Sequence, residues 1–385
     1  MTSTDLFSKL KKIEYNDRIL LLTHTNADGA GVAIALKSAE ISIDRGYHTI
    51  RYLNNGIMSK EIRNAVCGET ADNYDIIIAC DISCSKEDAD IIAASPNASK
   101  LVILDHHLTS KHLNDYPFGV SQSEMVADSF RAPLFKNTPS KGLSSGASLM
   151  YDYLHYCGLV DINRCDDYEF DNSDVVLRKI IHLIATYDTW DWVNCFDSNT
   201  IYLDFNRLFE SYGIDYFVSE MHTRAWCSRR DNVDELDEYH TRHKPDDITE
   251  LNLESVFDDD DETMLSISKW KEERHLVQIQ NSIHTGTLEL DNREYTVAYV
   301  DNSKHTAAVF EHMKKLYPDV DLYIVNYGTG VFVRSIKPEI NVSEITKRCN
   351  GGGHAGAGGF KIPMEHIIDA FNKTINGNIT LDRKE

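Results

Sequence analysis

The 385-residue sequence contains no long apolar run, no paired-cysteine motif and no excess of basic charge. No window approaches the roughly 18 consecutive apolar residues that a membrane helix needs. The initial segment MTSTDLFSKLKK lacks the basic-then-apolar order of a secretory signal. We therefore expect a cytoplasmic globular protein that has no membrane contact.

The cysteines do not support a metal-thiolate protein, and the net charge does not support a protein that coats DNA. The eight cysteines form no CxxC pair and show no regular spacing, so a zinc knuckle or a disulfide framework is not indicated. The formal net charge is -22, from 39 Lys and Arg against 61 Asp and Glu. This charge repels polyanions, although acidic excess also serves solubility. Any nucleic-acid substrate is therefore expected to be short or locally bound.

Apolar runs alternate with amphipathic segments over the first 110 residues. Continuous apolar runs are typical of parallel strands that are covered on both faces, so we predict an α/β fold with a doubly wound parallel sheet. Ligands bind at the carboxyl ends of such strands, which makes the polar residues that end each run the candidates for a site. The runs are RILLLTH (18–24), HTIRYLNN (48–55), DIIIACDIS (75–83) and KLVILDHH (100–107), with predicted helices at 31–39 and 86–94.

The rest of the chain indicates a second, smaller α/β domain. The pattern becomes irregular from about 200 to 283 and contains the acidic run DDDDE (258–262), which we interpret as a solvated loop or a helix start. We predict a first domain in residues 1–200, a helical and acidic connecting region in 201–283, and the second domain in 284–385, with the active-site cleft between the two domains. Helices are predicted at 145–156, 173–186 and 263–282, strands at 295–301 and 321–336, and a glycine-rich segment at 349–360.

Acidic residues and histidines end three of these strands and a later helix. If the strands are neighbours, the terminal side chains meet at one edge of the sheet, where so many carboxylates require a neutralising cation. Carboxylate and imidazole ligands suit Mn²⁺, with Mg²⁺ or Fe²⁺ as alternatives, and two such ions could activate a water for attack at phosphorus. The residues are His24, Asn26, Asp28, Asp81, Asp105, His106, His107 and Asp188.

Each member of this set also has a structural interpretation. A lone Asp after a strand is more often a helix cap, and a lone His is more often a satisfied structural residue. The conjunction at one edge favours a single site, since four independent coincidences are less probable than one centre.

The motifs together resemble the DHH/DHHA1 phosphoesterases, and within that family the B-type bacterial nanoRNases. The resemblance covers nearly the whole chain, apart from about 225 to 265. It implies a DHH domain in the first part and a substrate-binding DHHA1 domain in the last. The motifs are HTNADG (24–29), ACDIS (79–83), LDHH (104–107), LSSGASLMYDYL (143–154), YDTWDW (187–192) and NGGGHAGAGGF (350–360).

The resemblance also implies roles for individual residues. Asp81 would bridge two Mn²⁺ ions, His107 would contact the scissile phosphate or protonate the leaving oxygen, and Asp105 would orient a histidine or ligate a metal. Relatives usually carry Asp where Asn26 stands, so one ion is expected to bind more weakly here. The implied metal ligands are His24, Asp28, Asp81, His106 and Asp188, with Asn26 as a weaker, uncharged ligand.

The glycine-rich segment has two interpretations. Three glycines before His354 allow the backbone to approach a phosphate closely, or they only permit tight packing between a strand and a loop. The segment lacks the Lys-Ser/Thr ending of a P-loop. The resemblance favours substrate binding by Gly351, Gly352, Gly353, His354 and Arg334.

The function implied by these observations is metal-dependent hydrolysis of short oligonucleotides to mononucleotides by a hydroxide that two metal ions activate. A RecJ-like exonuclease on single-stranded DNA, a phosphoesterase for cyclic dinucleotides or pAp, and a non-catalytic nucleotide-binding module stay open as alternatives. Short RNA or DNA fragments or small nucleotides are the expected partners, and a homodimer is compatible with the sequence.

Overall fold

The computed structural model shows two compact units, Met1–Ser268 and Lys269–Glu385. Each unit has its own sheet and its own apolar core. Among the described residues, no helix has the length and apolar character that a membrane span requires. The described residues are 3–14, 16–39, 48–54, 56–122, 143–160, 175–189, 191–194, 199–230, 256–290, 293–301, 304–328, 330–349 and 351–362.

The sheet of the first unit is parallel throughout, in the strand order β2-β1-β3-β4-β5. Strands β1, β3 and β4, which the sequence places next to the candidate residues, are neighbours as predicted. The short β5 lies outside the predicted runs. The strands are β1 (Ile19–His24), β2 (His48–Leu53), β3 (Ile76–Cys80), β4 (Leu101–Asp105) and β5 (Gly119–Ser121).

Helices cover both faces of this sheet, which confirms the doubly wound architecture. Ile19 and Leu21 of β1 point into one core, and Leu20 and Leu22 point into the other, because side chains alternate along a strand. The helices are α1 (Ser3–Phe7), α2 (Ala27–Ser38), α3 (Met58–Cys67), α4 (Lys86–Ala93), α5 (Gly146–Cys157), α6 (Val175–Asp188), α7 (Asn199–Tyr212) and α8 (Ile214–Arg230).

Helices fill the first part of the region after residue 200, where the sequence pattern is irregular and a helical connecting region was predicted. Helices α7 and α8 occupy it, and Phe205, Leu208 and Phe217 are buried in the same core as β1. In α7 the apolar residues Ile201, Phe205, Leu208 and Tyr212 recur at helical spacing, so one face of the helix packs against the core. Residues 231–255 of the predicted connecting region lie outside the described residues.

The acidic run forms the start of a helix, which is one of its two predicted structures. Helix α9 (Asp259–Ile279) begins with a reciprocal cap, in which the Asp261 amide donates to Asp258 Oδ1 at 2.9 Å and the Asp258 amide donates to Asp261 Oδ2 at 3.0 Å. Asp261 is fully buried and bound by Arg224 of α8. The run is therefore not uniformly solvated.

The second unit contains a mixed sheet in the order β10-β11-β9-β8-β7-β6. The predicted strand run at 321–336 is an antiparallel hairpin of two strands, because Gly328 with a φ of 93° turns the chain between them. The elements are β6 (His284–Leu290), β7 (Arg293–Asp301), α10 (Thr306–Leu316), β8 (Leu322–Asn326), β9 (Gly330–Arg334), α11 (Val342–Lys347), β10 (Gly352–Gly353) and β11 (Ala357–Lys361).

Candidate metal and active site

His106 lies at the centre of a cluster of carboxylates at the carboxyl edge of the first sheet. Its Nε2 atom is 3.2 Å from Asp81 Oδ1, 3.5 Å from Asp28 Oδ2 and 3.6 Å from Asp188 Oδ2. The side chains of His106, Asp28 and Asp81 are fully buried. Four of the residues that the sequence singled out are thus brought together from four separate parts of the chain.

The strand order explains why the cluster forms at this place. β2 and β3 lie on opposite sides of β1, so the connections after β1 and β3 diverge and leave a crevice between them. Asp28 follows β1 and Asp81 follows β3, so both carboxylates face this crevice. His106 follows β4, the next strand along.

Asp81 has a strained backbone. Its φ is 61°, in the left-handed region that residues other than glycine rarely adopt. Its amide donates to Leu104 O at 3.1 Å, which holds the turn against β4. Strain of this kind is concentrated at functional sites, where the surrounding structure enforces a required side-chain direction.

The amino terminus of α5 forms a wall of the site, and sequence reasoning did not assign it. Asp28 Oδ2 accepts a hydrogen bond from the Gly146 amide at 2.6 Å, and Asp28 Oδ1 accepts one from the Ala147 amide at 2.9 Å. These bonds fix the carboxylate plane, and the positive end of the helix dipole offsets part of its charge. The signal available in the sequence was Ser145, which forms a capping box with Ser148.

Asp105 orients the two histidines that follow it. Its Oδ1 atom accepts a hydrogen bond from the His106 amide at 2.9 Å and pairs with His107 Nδ1 at 2.7 Å. The His107 side chain is 31% exposed, so its ring is within reach of a ligand at the edge of the sheet. Desolvation lowers the pKa of His107, but the charge and hydrogen bond of Asp105, together with the charge of Asp81, raise it, and the net shift is upward.

His24 and Asn26 occupy the end of β1 and the start of α2. His24 Nδ1 is 4.0 Å from Asp81 Oδ2, and burial together with the nearby His107 lowers the pKa of His24 to about 4. Asn26 is the N-cap of α2, because its Oδ1 accepts a hydrogen bond from the Gly29 amide at 2.8 Å. An aspartate at this position could form the same cap with a full negative charge.

The charges of the cluster are unbalanced without a cation. Burial and the neighbouring carboxylates of Asp28 and Asp188 raise the pKa of Asp81 well above its usual range. Burial lowers the pKa of His106, but the charges of Asp188, Asp28 and Asp105 together outweigh this effect and raise it. Asp188 is the last residue of α6, so the negative end of that helix adds to the imbalance.

The donor set fits a divalent cation. Ligand atoms of Asp28, His106 and Asp188 lie within 4.8 Å of one another. Asp81 Oδ2 is buried and accepts no hydrogen bond among the described residues, which is expected of an oxygen reserved for a ligand. Carboxylate oxygens mixed with an imidazole nitrogen suit Mn²⁺ or Mg²⁺ rather than a thiolate-preferring metal.

The glycine-rich segment lies in the second unit and forms a tight hairpin of β10 and β11. Gly353 has a φ of 141°, and a Cβ added at Gly351 would lie 2.2 Å from Gly359 O. The Gly351 amide donates to Thr346 O, and the His354 amide donates to Ala357 O. Two of the glycines are therefore required by packing, and Arg334 pairs with Ala357 in the adjacent strand register.

The fold and the cluster agree with the resemblance that the sequence motifs indicate. The cluster lies at one edge of a parallel sheet with this strand order. It contains the DHH tripeptide (Asp105, His106 and His107), Asp81, the HTNADG segment (24–29) and Asp188. The chain resembles the DHH/DHHA1 phosphoesterases in these motifs and has the α/β fold that this resemblance predicted. A curated relative, oligoribonuclease NrnB of Bacillus subtilis (strain 168), is 26% identical over 354 residues, which is 90% of this chain and 73% of the relative. No family model matches the chain.

Three solved structures with similar chains are a RecJ, a pGpG-specific phosphodiesterase and a DHH domain. RecJ from Thermus thermophilus in complex with Mn²⁺ is 14% identical, with a TM-score of 0.45, over 98% of this chain and 53% of RecJ. The pGpG-specific phosphodiesterase PggH from Vibrio is 15% identical, with a TM-score of 0.32, over 93% of this chain and 99% of PggH. A DHH domain from a member of a family of ribosomal proteins is 13% identical, with a TM-score of 0.48, over 97% of this chain and 88% of that one.

Proposed function

We propose that the protein hydrolyses short oligonucleotides to mononucleotides with the help of two divalent cations, with Mn²⁺ as the preferred ion. The observation that supports this most is the position of His106 Nε2 within 3.6 Å of three carboxylate oxygens from Asp28, Asp81 and Asp188. The similarity to oligoribonuclease NrnB supports the choice of short RNA as substrate.

The cations would be held by the same residues that the motifs indicate. His24, Asp28, Asp81, His106 and Asp188 would supply the ligand atoms. Asp81 Oδ1 is 3.2 Å from His106 Nε2 and Asp81 Oδ2 is 4.0 Å from His24 Nδ1, so its carboxylate could contribute to both cations. When bound, such cations lower the pKa of water and stabilise negative charge on phosphoryl oxygens. The amides of Gly146 and Ala147 hold the Asp28 carboxylate in a fixed orientation for this purpose.

His107 would act on the substrate directly. Asp105 fixes its Nδ1 side, so Nε2 is the ring atom that would contact the scissile phosphate or give a proton to the leaving oxygen. Asp105 is buried and makes this hydrogen bond from a rigid position at the end of β4. We therefore assign His107 as the catalytic residue and Asp105 as its positioning residue.

The second unit, the DHHA1 domain, would bind the part of the substrate away from the reacting phosphate. Arg334 offers a planar fork for phosphate, and β11 of the glycine hairpin pairs with β9 at Arg334 through Ala357. The His354 amide donates to Ala357 O from the other side of β11. Residues Gly351, Gly352 and Gly353 would line this region and exclude side chains from it. The acidic net charge of the chain favours short substrates over long polyanions.

A substrate panel tests the proposal. Metal-stripped protein supplied with Mn²⁺ should cleave labelled RNA dinucleotides to pentanucleotides faster than a short DNA, a twenty-mer or a cyclic dinucleotide. The variants His106→Ala and Asp188→Asn should lose cleavage by about a hundredfold or more while keeping a native circular dichroism spectrum. Asp115→Asn is the matched control, because Asp115 is an exposed carboxylate outside the cluster.

The outcomes of the panel separate the alternatives. Preference for the DNA or the twenty-mer would favour a RecJ-like exonuclease, and preference for the cyclic dinucleotide would favour that class of phosphoesterase. Binding without cleavage of every substrate would favour a nucleotide-binding module. Asn26→Asp in the same assay should tighten Mn²⁺ binding, because the added charge lies at the start of α2 beside the cluster.

A further inference from the structure

Tyr327 and Phe332 form an aromatic surface on the second sheet, and neither residue has a role in the site described above. The rings of Tyr327 and Phe332 stack with their centroids 4.7 Å apart and their planes 27° apart. Phe332 is 39% exposed although it lies in the middle of β9. Part of the Phe332 ring is therefore accessible to a ligand from solvent.

The strand register places this surface beside Arg334. Phe332 and Arg334 are two residues apart in β9, so they lie on the same face of the sheet, roughly 7 Å apart along the strand. The Arg334 guanidinium carbon lies 4.5 Å from the ring centroid of Phe310 in α10, which holds the guanidinium over this face. An aromatic plate and a planar cation are thus presented side by side.

Gly359 leaves room next to the aromatic plate. It lies opposite Phe332 in the register of β11 with β9. A Cβ at this position would lie 3.2 Å from Phe332 Cδ1 and 3.1 Å from Val331 O, so any side chain would press on the ring. The glycine keeps the surface beside the ring flat.

We propose that Phe332, supported by Tyr327, stacks on a nucleobase of the substrate while Arg334 binds a phosphate of the same nucleotide. The inference rests on the proposed function and adds the group that the second unit recognises. Every nucleobase has a π-face, so this contact binds short oligonucleotides without demanding a particular sequence. A guanidinium fork matches phosphate oxygens in the same way for every nucleotide.

Fluorescence of 2-aminopurine riboside 5′-monophosphate measures this contact directly, because stacking on an aromatic ring quenches it. Titration of the probe with the full-length chain should give saturable quenching, and Phe332→Ala should weaken binding by about tenfold or more. Phe332→Trp should restore the quenching, since indole offers a larger π-face. Equal quenching by the wild type and Phe332→Ala would overturn the inference.

Tyr299→Ala is the matched control variant. Tyr299 is also 39% exposed and lies in the same sheet, but the register of β7 with β8 places it on the opposite face from Phe332. This variant should quench the probe as the wild type does. An equal loss of quenching in Tyr299→Ala and Phe332→Ala would show that the probe does not bind specifically at Phe332.

The cleavage assay separates this inference from the proposed function. In the wild type, an RNA dinucleotide should have a lower KM than the same dinucleotide with one base removed. Phe332→Ala should raise the KM of the intact dinucleotide about tenfold with little change in kcat, and leave the abasic substrate unaffected. Quenching through Phe332 without any cleavage would support the base contact while removing the proposed hydrolysis. If the Phe332 ring only shields Gly359, Phe332→Ala should lower the Tm and leave both KM values unchanged. That result would overturn the inference.

Discussion

The backbone of Asp81 holds a left-handed conformation that directs its carboxylate toward His106. Gly146 makes this arrangement possible from the other side. A Cβ at Gly146 would lie 2.4 Å from Asp81 Cβ and 2.9 Å from Asp28 Oδ2. The contact of α5 with the cluster therefore requires a glycine at its first position.

Gly146→Ala should displace Asp81 or Asp28 and weaken the binding of Mn²⁺ by about tenfold or more, since overpacking of this kind costs roughly 1 to 3 kcal/mol. Calorimetric titration of the metal-stripped chain measures the effect. Gly286→Ala in β6 is the control, because an added Cβ there meets no atom within 4 Å. Unchanged affinity in Gly146→Ala would show that α5 does not position the carboxylates.

The partly buried His24 should make the stability of the metal-free protein depend on pH. Burial lowers the pKa of His24 to about 4, below the usual 6.5, so the unfolded chain binds the additional proton first. The free energy of unfolding of the metal-free protein should therefore fall as the pH drops from 6.5 toward 4. The contribution of His24 between about pH 7 and about pH 5 is roughly 2 kcal/mol.

Denaturant titration of the metal-free wild type and His24→Asn at the two pH values isolates this contribution. The free energy of unfolding of the variant should fall by about 2 kcal/mol less than that of the wild type over this pH interval. Parallel losses in both proteins would mean that His24 is not held neutral by its surroundings.

At the scale of single residues, the sequence predicted which side chains converge but not what holds them. His106 and its carboxylate neighbours were identified because each ends an apolar run or a helix. The amides of Gly146 and Ala147 were missed, because a backbone donor leaves no residue type to recognise. The sequence analysis assigned Asn26 to the metal site, and its role as the cap of α2 is shown by its hydrogen bond with the Gly29 amide.

At the scale of elements, Arg224 joins α8 to the start of α9. Its guanidinium binds Asp258 and Asp261, and its Nη1 also donates to Val256 O at 2.8 Å. The Tyr212 hydroxyl donates to Asp261 at 2.7 Å. Because Asp261 is fully buried, this network makes the acidic run part of the fold of the first unit.

Arg224→Met should destabilise the protein by about 3 to 5 kcal/mol, because it leaves a buried carboxylate without its cation. Thermal unfolding followed by circular dichroism measures this loss. Lys86→Met breaks the exposed pair with Asp90 and should leave the thermal unfolding curve close to that of the wild type. Similar small effects in both variants would show that the Arg224 network is not structural.

Elements with strong local signals were predicted well, and elements without them were not. β1, β3 and β4 are short, largely apolar and buried, so their runs stand out in the sequence. Helices α7 and α8 lie in the region predicted as helical and acidic, but their packing into the core of the first unit left no local signal in the sequence. The hairpin of β10 and β11 depends on glycine packing and on pairing with β9, a contact between residues distant in the chain that leaves no local pattern.

At the scale of the whole molecule, the chain combines a parallel sheet that carries His106 and its carboxylate neighbours with a mixed sheet that carries Arg334 and the aromatic pair. A resemblance to a family of phosphoesterases could be recognised from the motifs, because DHH and the distant glycine-rich segment occur together. The preference for a particular substrate could not, because ribose and base contacts leave no short motif. The acidic net charge contributes only a bias toward small substrates.

The most direct test of the account is an electron paramagnetic resonance titration of the metal-stripped chain with Mn²⁺, comparing the wild type with Asp81→Asn. Asparagine tolerates the left-handed backbone and keeps the shape of the side chain, so the variant removes only charge. The account predicts two bound ions per wild-type chain and weaker binding of both in the variant, because Asp81 lies between His24 and His106. Equal binding in the two proteins, or no binding in the wild type, would contradict it.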